Sequence, residues 1–363
     1  MPDKTILIMA GGTGGHVYPA LAVADYLRDH GDRLYWLGTR SGLEARIVPE
    51  NGLELLVIYV SGLRGKKFSR WIIAPVMLMM ALVQSMRILI KYKPDAVIGL
   101  GGFVSGPGGI AAWLLRIPLY IHEQNAIAGL TNRLLAPLAK KVMLGFPGAL
   151  NGKNVIATGN PVRKSIQEIA PPTVRLAGRS ESGLRLLVLG GSLGAKALNE
   201  LMPEVLSALP ADLRIDTWHQ TGGGHVESTR NLYQKYKLTS ARVVSYIEDM
   251  AEAYSWADLV LCRAGASTVS EICNVGVAAI LVPYPHAVDD HQTANAKYLS
   301  DAGAAILIPQ TELSVTAVVS LLGQFASERN RLVNMATIAR SKAYIDATPR
   351  IAAICSGGDA CLK

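Results

Sequence analysis

Cysteine is scarce in this chain of 363 residues: four occur, Cys262, Cys273, Cys355 and Cys361. No pair has CxxC spacing and no histidine follows at ligand distance, which argues against structural zinc and a disulfide framework and fits a reducing compartment. Charge is also sparse, at 18% of residues against 50% apolar, so the chain is globular rather than disordered. No small-residue cleavage site follows the first apolar run, so the expectation is a protein made and kept in the cytosol. Nor is there a clean membrane-spanning run. The longest apolar stretch, Trp71 to Val83, falls short of the ~20 residues a crossing helix needs, and Pro75, Gln84, Ser85 and Arg87 break the wider window.

Positive charge is present, but on one side only. Residues 1–162 hold 17 basic and 9 acidic side chains, a net of +8; residues 163–363 hold 19 of each, a net of zero. The excess suggests that the first half faces an anion, with nucleic acid and an anionic membrane surface as candidates and a solubilising surface as the plain alternative.

Apolar runs of strand length alternate with helical stretches. "TILIM" (5–9), "RLYWLG" (33–38), "LELLVIYV" (53–60), "AVIGLG" (96–101) and "PLYIHE" (118–123) read as buried parallel strands. The pattern restarts at "LRLLVLGG" (184–191) and continues through 214–222, 242–247, 258–265 and 278–285. Two Rossmann-like halves of the doubly wound α/β class follow, with a Pro/Gly-rich linker at 159–183. A ligand crevice is expected between the carboxyl edges of the two sheets. The segment 66–93 has an apolar centre and basic ends, Lys66, Lys67, Arg70 and Arg87 among them. It reads either as an interfacial helix or as a crossover helix buried on the sheet, and the flanking charge favours the first.

Three loops are rich in glycine: "AGGTGGH" (10–16), "GLGGFVSGPGG" (99–109) and "GGSLGA" (190–195). Each follows a strand and precedes a helix, where backbone N–H groups and a helix dipole suit phosphate. Tight turns needing positive φ would explain one such loop, but explain three less well. The first loop lacks the last glycine of GxGxxG, and its second strand ends "WLGTR" without the carboxylate that would hold a ribose, so NAD is disfavoured. The nucleotide signal lies later. In "RAGASTVSE" (263–271), Gly265, Ala266 and Ser267 open a helix, and small residues at a helix start admit a diphosphate; the helix runs on through Thr268, Val269 and Ser270 to Glu271, a carboxylate about one turn in, where it suits ribose hydroxyls. In "DDHQTANA" (289–296), Gln292 and Asn295 belong to a polar cluster fit for sugar hydroxyls.

Taken together, "GGTGGHVYPALA", "SGLRGK" (61–66), "GGFVSGPGG", "HEQNAIAGLTNRLLA" (122–136), "GNPVR" (159–163), "GGSLGA", "RAGASTVSE" and "DDHQTANA" resemble, in this order and over nearly the full length, a bacterial family. It is the undecaprenyldiphospho-muramoylpentapeptide N-acetylglucosaminyltransferases that make lipid II, the MurG family. The resemblance implies a glycosyltransferase-B fold, with residues 1–162 and about 343–363 forming an acceptor and membrane-associating domain and 163–342 a donor domain. It implies UDP-N-acetylglucosamine as donor, lipid I as acceptor, inversion at the anomeric carbon, and residence on the cytoplasmic face of the inner membrane beside cell-wall and division proteins. Nucleic acid then drops out as a partner. Binding positions carry over to Thr13, Gly14, Gly15, Asn125, Arg163, Ser192, Ile247 against the uracil, Ala266 to Glu271, and Gln292. The family usually has glutamine where Leu193 stands here, which removes any amide contact from that place.

Inverting transfer is one displacement, in which the acceptor hydroxyl attacks as UDP leaves. It needs a general base near neutrality and stabilisation of the departing charge. His16, at the end of the glycine turn, is the first candidate base, with orientation of a diphosphate or helix capping as its alternatives. Glu123 is the rival. Nothing marks Asp289-Asp290 as a metal site, so helix starts, loop N–H groups and Arg163 are expected to serve the diphosphate without a bound metal or other cofactor. A sugar-nucleotide epimerase and a non-catalytic carrier are the competing classes.

Overall fold

The computed structural model describes residues 4–60, 69–179, 183–191 and 193–357. The chain divides into two compact units, residues 1–163 with 344–363, and residues 164–343.

Unit 1 is built on a parallel sheet of β1 (Thr5–Met9), β2 (Arg33–Gly38), β3 (Glu54–Val57), β4 (Ala96–Gly99), β5 (Leu119–Glu123), β6 (Lys141–Leu144) and β7 (Val155–Ala157). Its strand order is β3-β2-β1-β4-β5-β6-β7. In unit 2, β8 (Leu184–Leu189), β9 (Ile215–Gln220), β10 (Arg242–Val244), β11 (Leu259–Cys262), β12 (Ala278–Leu281) and β13 (Ala305–Leu307) order as β10-β9-β8-β11-β12-β13. Every pairing is parallel. In each sheet the order reverses beside the first strand, between β1 and β4 and between β8 and β11. Those are the switch points where open α/β sheets take ligands.

The continuous apolar strands resolve into two faces with a period of two. Ile6, Ile8, Trp36, Ile98 and Tyr120 pack with Val17, Ala24 and Leu27 of the helix Gly14–Asp29 and with Ile351 and Cys355 of the helix Ala347–Cys355. Leu7, Met9, Leu37, Val97 and Ile121 point the other way, onto Leu89 and Ala111. In unit 2 the alternate residues Leu184, Leu186 and Val188 meet Leu198, Met202, Leu322 and Phe325. Full burial of one such side chain stabilises by about 1.5–3 kcal/mol, so truncating any central one is costly.

Two expectations change shape. The linker region is structured over its described part: Lys164–Gln167 and Pro172–Arg175 are short helices of unit 2, and the buried Arg175 donates to the Ala257 and Gly276 carbonyls. The helix Ser69–Tyr92 is seated on the sheet, as the crossover reading expected, and leaves apolar side chains exposed. Ala74, Ala81, Ser85 and Leu89 form a buried stripe on the sheet, while Val76, Met79, Met80 and Val83 are exposed. Of the described residues, Ala74–Tyr92 is the one helical stretch long and apolar enough to cross a bilayer. Because it connects β3 to β4 of one sheet and is seated on that sheet, it is a crossover element with an uncovered apolar face. "SGLRGK", Lys66 and Lys67 lie outside the described residues, as does the side chain of Arg70. Cys262, Cys273 and Cys355 are buried free thiols, and burial pushes Cys273 up to about 12.

Candidate active site

In unit 1 the turn after β1 meets the turn after β4. Thr13 is extended and precedes the helix Gly14–Asp29 without capping it through its side chain. That leaves the first turn, with Gly14 and Gly15, open to an anion. His16 is half-buried one turn in. Its Nδ1 lies 3.3 Å from the Gly11 carbonyl oxygen and 3.5 Å from Thr13 Oγ1. A carbonyl only accepts, so this contact takes its proton from Nδ1, and in the neutral ring the lone pair is then at Nε2. The other face of the ring rests on the second glycine loop. A Cβ on Gly101, whose φ is +104°, would stand 2.7 Å from His16 Cδ2 and 2.9 Å from Nε2. Glycine at 101 is therefore demanded twice, by backbone conformation and by the imidazole.

Arg163 belongs to the same unit, its guanidinium 5.8 Å from the centre of the Tyr18 ring on the helix that carries His16. Glu123 closes β5 and is 2% exposed. Its Oε1 accepts from Asn125 N at 2.9 Å and Asn125 Nδ2 at 3.3 Å; its Oε2 accepts from Gly129 N at 3.0 Å and Asn132 Nδ2 at 2.8 Å. Four donors on one buried carboxylate describe an anchor for the loop 124–129, which sets the orientation of Asn125. His122 is fully buried beside it, donating from Nε2 to the Gly159 carbonyl at 2.9 Å and accepting from Gln124 at Nδ1. Burial lowers its imidazole to about 4, against a smaller opposing pull from that carbonyl and from Glu123.

In unit 2 the helix Ala266–Val275 starts from an extended Gly265 with no side-chain cap. The Ser267 hydroxyl is buried there and meets no hydrogen-bond partner among the described residues. Ala266 and Val269 point into the core, so only their backbone can serve a ligand; Thr268 and Glu271 are half-exposed. Glu271 Oε2 accepts from the hydroxyl of the fully buried Tyr254 at 3.0 Å. Ile247 is buried in the turn between β10 and the helix Met250–Trp256.

Asp289 and Asp290 both have left-handed backbone, φ +53° and +52°, ahead of the helix His291–Ser300. That helix is tied toward the end of β11 by Asn295 Nδ2, which donates to the Ala264 carbonyl at 3.1 Å. Gln292 Oε1 accepts from Tyr284 N at 2.9 Å, which turns its amide nitrogen outward as a donor. Arg263 lies over the Tyr284 ring and donates to the Val282 and Pro283 carbonyls and to Gln310. Ser192 lies outside the described residues, while its neighbour Leu193 is 87% exposed. Sequence reasoning gave no role to Glu44, Trp36, Tyr254 or Arg263: Trp36 and Arg263 lie inside stretches that were read, but their partners are set by the fold, and Glu44 and Tyr254 sit in no motif with a spacing to read.

Two parallel-sheet units with glycine turns at both switch points define a two-domain Rossmann-like α/β protein, and the family models make it a glycosyltransferase. Residues 6–144 match the glycosyltransferase family 28 N-terminal domain, and residues 185–350 match the family 28 C-terminal domain. The chain is 49% identical over 355 residues to a protein of Marinobacter nauticus, covering 98% of this chain and 97% of that one. It is 50% identical over 351 residues to one of Nitrosococcus oceani, covering 96% and 97%. Both are named UDP-N-acetylglucosamine--N-acetylmuramyl-(pentapeptide) pyrophosphoryl-undecaprenol N-acetylglucosamine transferase. The crystal structure of Acinetobacter baumannii MurG superposes with a TM-score of 0.83 at 41% identity, over 98% of this chain and 99% of that one. This chain belongs to that transferase family, within glycosyltransferase family 28.

Proposed function

We propose that the protein transfers N-acetylglucosamine from UDP-N-acetylglucosamine to the 4-hydroxyl of the muramoyl sugar of lipid I, with inversion, giving lipid II for peptidoglycan. The observation that carries this reading is half-identity over nearly the whole chain to transferases bearing that name. Unit 2 takes most of the donor. The start of the helix Ala266–Val275 and the Ser267 hydroxyl face the diphosphate, with Ser192 assigned beside them from the family pattern. Glu271, steadied by Tyr254, holds the ribose; Ile247 lies against the uracil; Gln292 donates its amide to the sugar. In unit 1, Thr13, Gly14, Gly15, Asn125 and Arg163 are assigned to the donor from the family pattern. His16 Nε2 takes the proton of the attacking hydroxyl, and Glu123 acts as the anchor of the Asn125 loop rather than as the base.

The assay is incubation with labelled UDP-N-acetylglucosamine and a lipid I analogue. Labelled lipid product with stoichiometric UDP is expected. Interconversion of the sugar nucleotide without lipid product would make the protein an epimerase.

The acceptor side also has a membrane address, and we assign unit 1 to the anionic cytoplasmic face of the inner membrane. Unit 1 carries 20 basic and 11 acidic residues, a net of +9, and unit 2 carries 16 and 17, a net of −1. The helix Ser69–Tyr92, with its exposed apolar side chains, adjoins the helix Ser105–Leu114, with exposed Trp113, which in turn adjoins Leu130–Leu135, with exposed Leu134. Exposed Arg87, Lys91 and Arg116 lie along the same helices or at their ends. Apolar insertion plus lysine and arginine at headgroup level is the physics of a peripheral anchor. The double variant Met79→Glu, Met80→Glu is expected to lose co-sedimentation with anionic vesicles at unchanged thermal stability. Retained binding would move the anchor elsewhere.

A further inference from the structure

In a dinucleotide-binding sheet the end of the second strand carries the ribose carboxylate. This chain has Gly38-Thr39-Arg40 there, and a carboxylate arrives from Glu44, the first residue of the short helix Glu44–Glu50. Glu44 is fully buried. Its Oε2 accepts from Gly12 N at 2.9 Å, and its Oε1 from Thr39 N at 3.0 Å and Thr39 Oγ1 at 2.7 Å. Thr39 Oγ1 accepts in turn from Gly42 N at 3.2 Å. The carboxylate has room only because its neighbours are bare backbone: a Cβ on Gly11 or on Gly38 would lie 2.7 Å from Glu44 atoms. One step earlier, the Trp36 indole N–H donates to the Ala10 carbonyl at 2.8 Å. Ala10 and Gly12 are thus both held from the β2 side, and between them the Gly11 carbonyl receives His16 Nδ1.

We propose that Glu44 is a positioning residue for the transfer reaction. Through the Gly12 N–H it fixes the Gly11–Gly12 turn, so that the Gly11 carbonyl keeps His16 in the Nδ1–H tautomer with its Nε2 lone pair presented for proton abstraction. The inference rests on the reading of His16 as the base. It also explains why the opening loop looks like a cofactor loop and is not one: the acidic group that would hold a ribose is present but engaged with the loop itself. Neither close relative of glutamate replaces it. Glutamine must turn an amide NH2 toward either Gly12 N–H or the two Thr39 donors, and aspartate is one methylene short. An orienting group held outside the reacting shell acts by keeping its partner's geometry, not by touching substrate.

The test is Glu44→Gln, read by steady-state kinetics and by 15N NMR of the His16 imidazole, assigned with His16→Ala. Expected is a fall in kcat of about 10–100-fold, the scale of a small misplacement of a catalytic group. The donor KM should stay within about threefold, as befits an interaction made for the transition state rather than for binding. The His16 signals should move from the Nδ1–H pattern toward a mixture of tautomers. An unchanged kcat, or lost turnover with an unchanged His16 tautomer, overturns the proposal. If Glu44→Gln does not fold, Thr39→Val is measured the same way. It removes one donor from Oε1, so a smaller loss in the same direction is expected, and no change in either kcat or tautomer overturns the proposal. Full turnover in His16→Ala would remove the base reading alone; the imidazole spectrum, which needs no turnover, would still report whether Glu44 holds the turn.

Discussion

The two units share one topology and use its switch point in opposite ways. In unit 1 the loop after the first strand carries the proposed base, and the loop after β4 lies against it, with Gly101 close to His16. In unit 2 the proposed diphosphate helix opens after β11, the strand beside β8 at the point where the order reverses. The backbone is also spent differently. Unit 1 ties its turn at Ala10, Gly11 and Gly12 to Trp36, His16 and Glu44, fixing a side chain. Unit 2 starts its helix uncapped with a buried hydroxyl beside it, an arrangement suited to an anionic ligand. Both units leave the helix start after a glycine turn uncapped, and only in unit 1 do bonds to the turn also hold a histidine.

That contrast breaks most visibly in kinetics. His16→Ala is expected to lower kcat by about 10²–10⁴-fold, the usual share of a general base, with donor affinity nearly kept. Ser267→Ala with Glu271→Ala should do the reverse, raising the donor KM by about tenfold or more while kcat falls less. Donor titration beside turnover checks both. If His16→Ala weakens donor binding as much as the unit 2 pair does, unit 1 is a binding module and the division of labour is wrong.

A steric version follows. Gly101→Ala puts a methyl group into the His16 ring at a φ of +104°. Gly12→Ala has a comparable φ of +92° but no atom within 4 Å of the added carbon. Both should lose about 1–3 kcal/mol of stability from backbone strain. Only Gly101→Ala should also lose turnover, by about tenfold or more, because the imidazole must move. Equal losses of kcat in the two would mean that the ring's placement does not matter.

How much of this could be read from residues alone divides along physical lines. "TILIM" and "RLYWLG" coincide with β1 and β2 to the residue because continuous apolar runs of that length have few other places to go. Strands β6, β7 and β13 went unread. At three or four residues, with β7 only half-buried at the sheet edge, their apolar signal does not rise above that of a loop. "RVVSYI" read as one strand, but β10 stops at Val244, and Ile247 is buried from the following turn. The glycine loops could be placed between strand and helix from sequence because glycine before a helix has a short list of causes. Glu44 and Tyr254 could not be read that way. A buried polar residue is recognised by what folds onto it, and Gly12 lies 32 residues from Glu44, and Glu271 17 from Tyr254.

The units also share a buried neutral histidine, and acid should separate them. Burial lowers His122 to about 4 in unit 1 and His219 to about 3 in unit 2, from 6.5. Above pH 6.5 both are neutral whether folded or not, and stability is at its full value. Below it the unfolded chain takes a proton that the folded core refuses, so each histidine removes about 1.4 kcal/mol per pH unit. The loss from His122 ends near pH 4 and that from His219 near pH 3. His219 bonds Tyr233 and Asn199 at 2.9 and 3.0 Å, so His219→Gln costs stability at neutral pH but should flatten the acid slope by one proton. Denaturant titrations from pH 7 to 4.5 measure that slope; an unchanged slope would mean that His219 takes its proton while folded.

The smallest expected effect is the sharpest on the comparison. Tyr254 is fully buried, and its hydroxyl lies 3.0 Å from Glu271 Oε2. Tyr254→Phe keeps the ring and its packing and removes one hydrogen bond, a change of about 0.5–1.5 kcal/mol. If Glu271 holds the ribose, that energy appears as a donor KM raised about two- to tenfold with kcat nearly constant, because an orienting bond in the binding unit serves ground state and transition state alike. The same deletion of one supporting bond in unit 1 is expected to appear in kcat. A Tyr254→Phe variant that lost kcat at unchanged KM would therefore do more than reassign one residue. It would show that the open helix start of unit 2 is tuned to the departing charge, and that both units, not one, are built around the transition state.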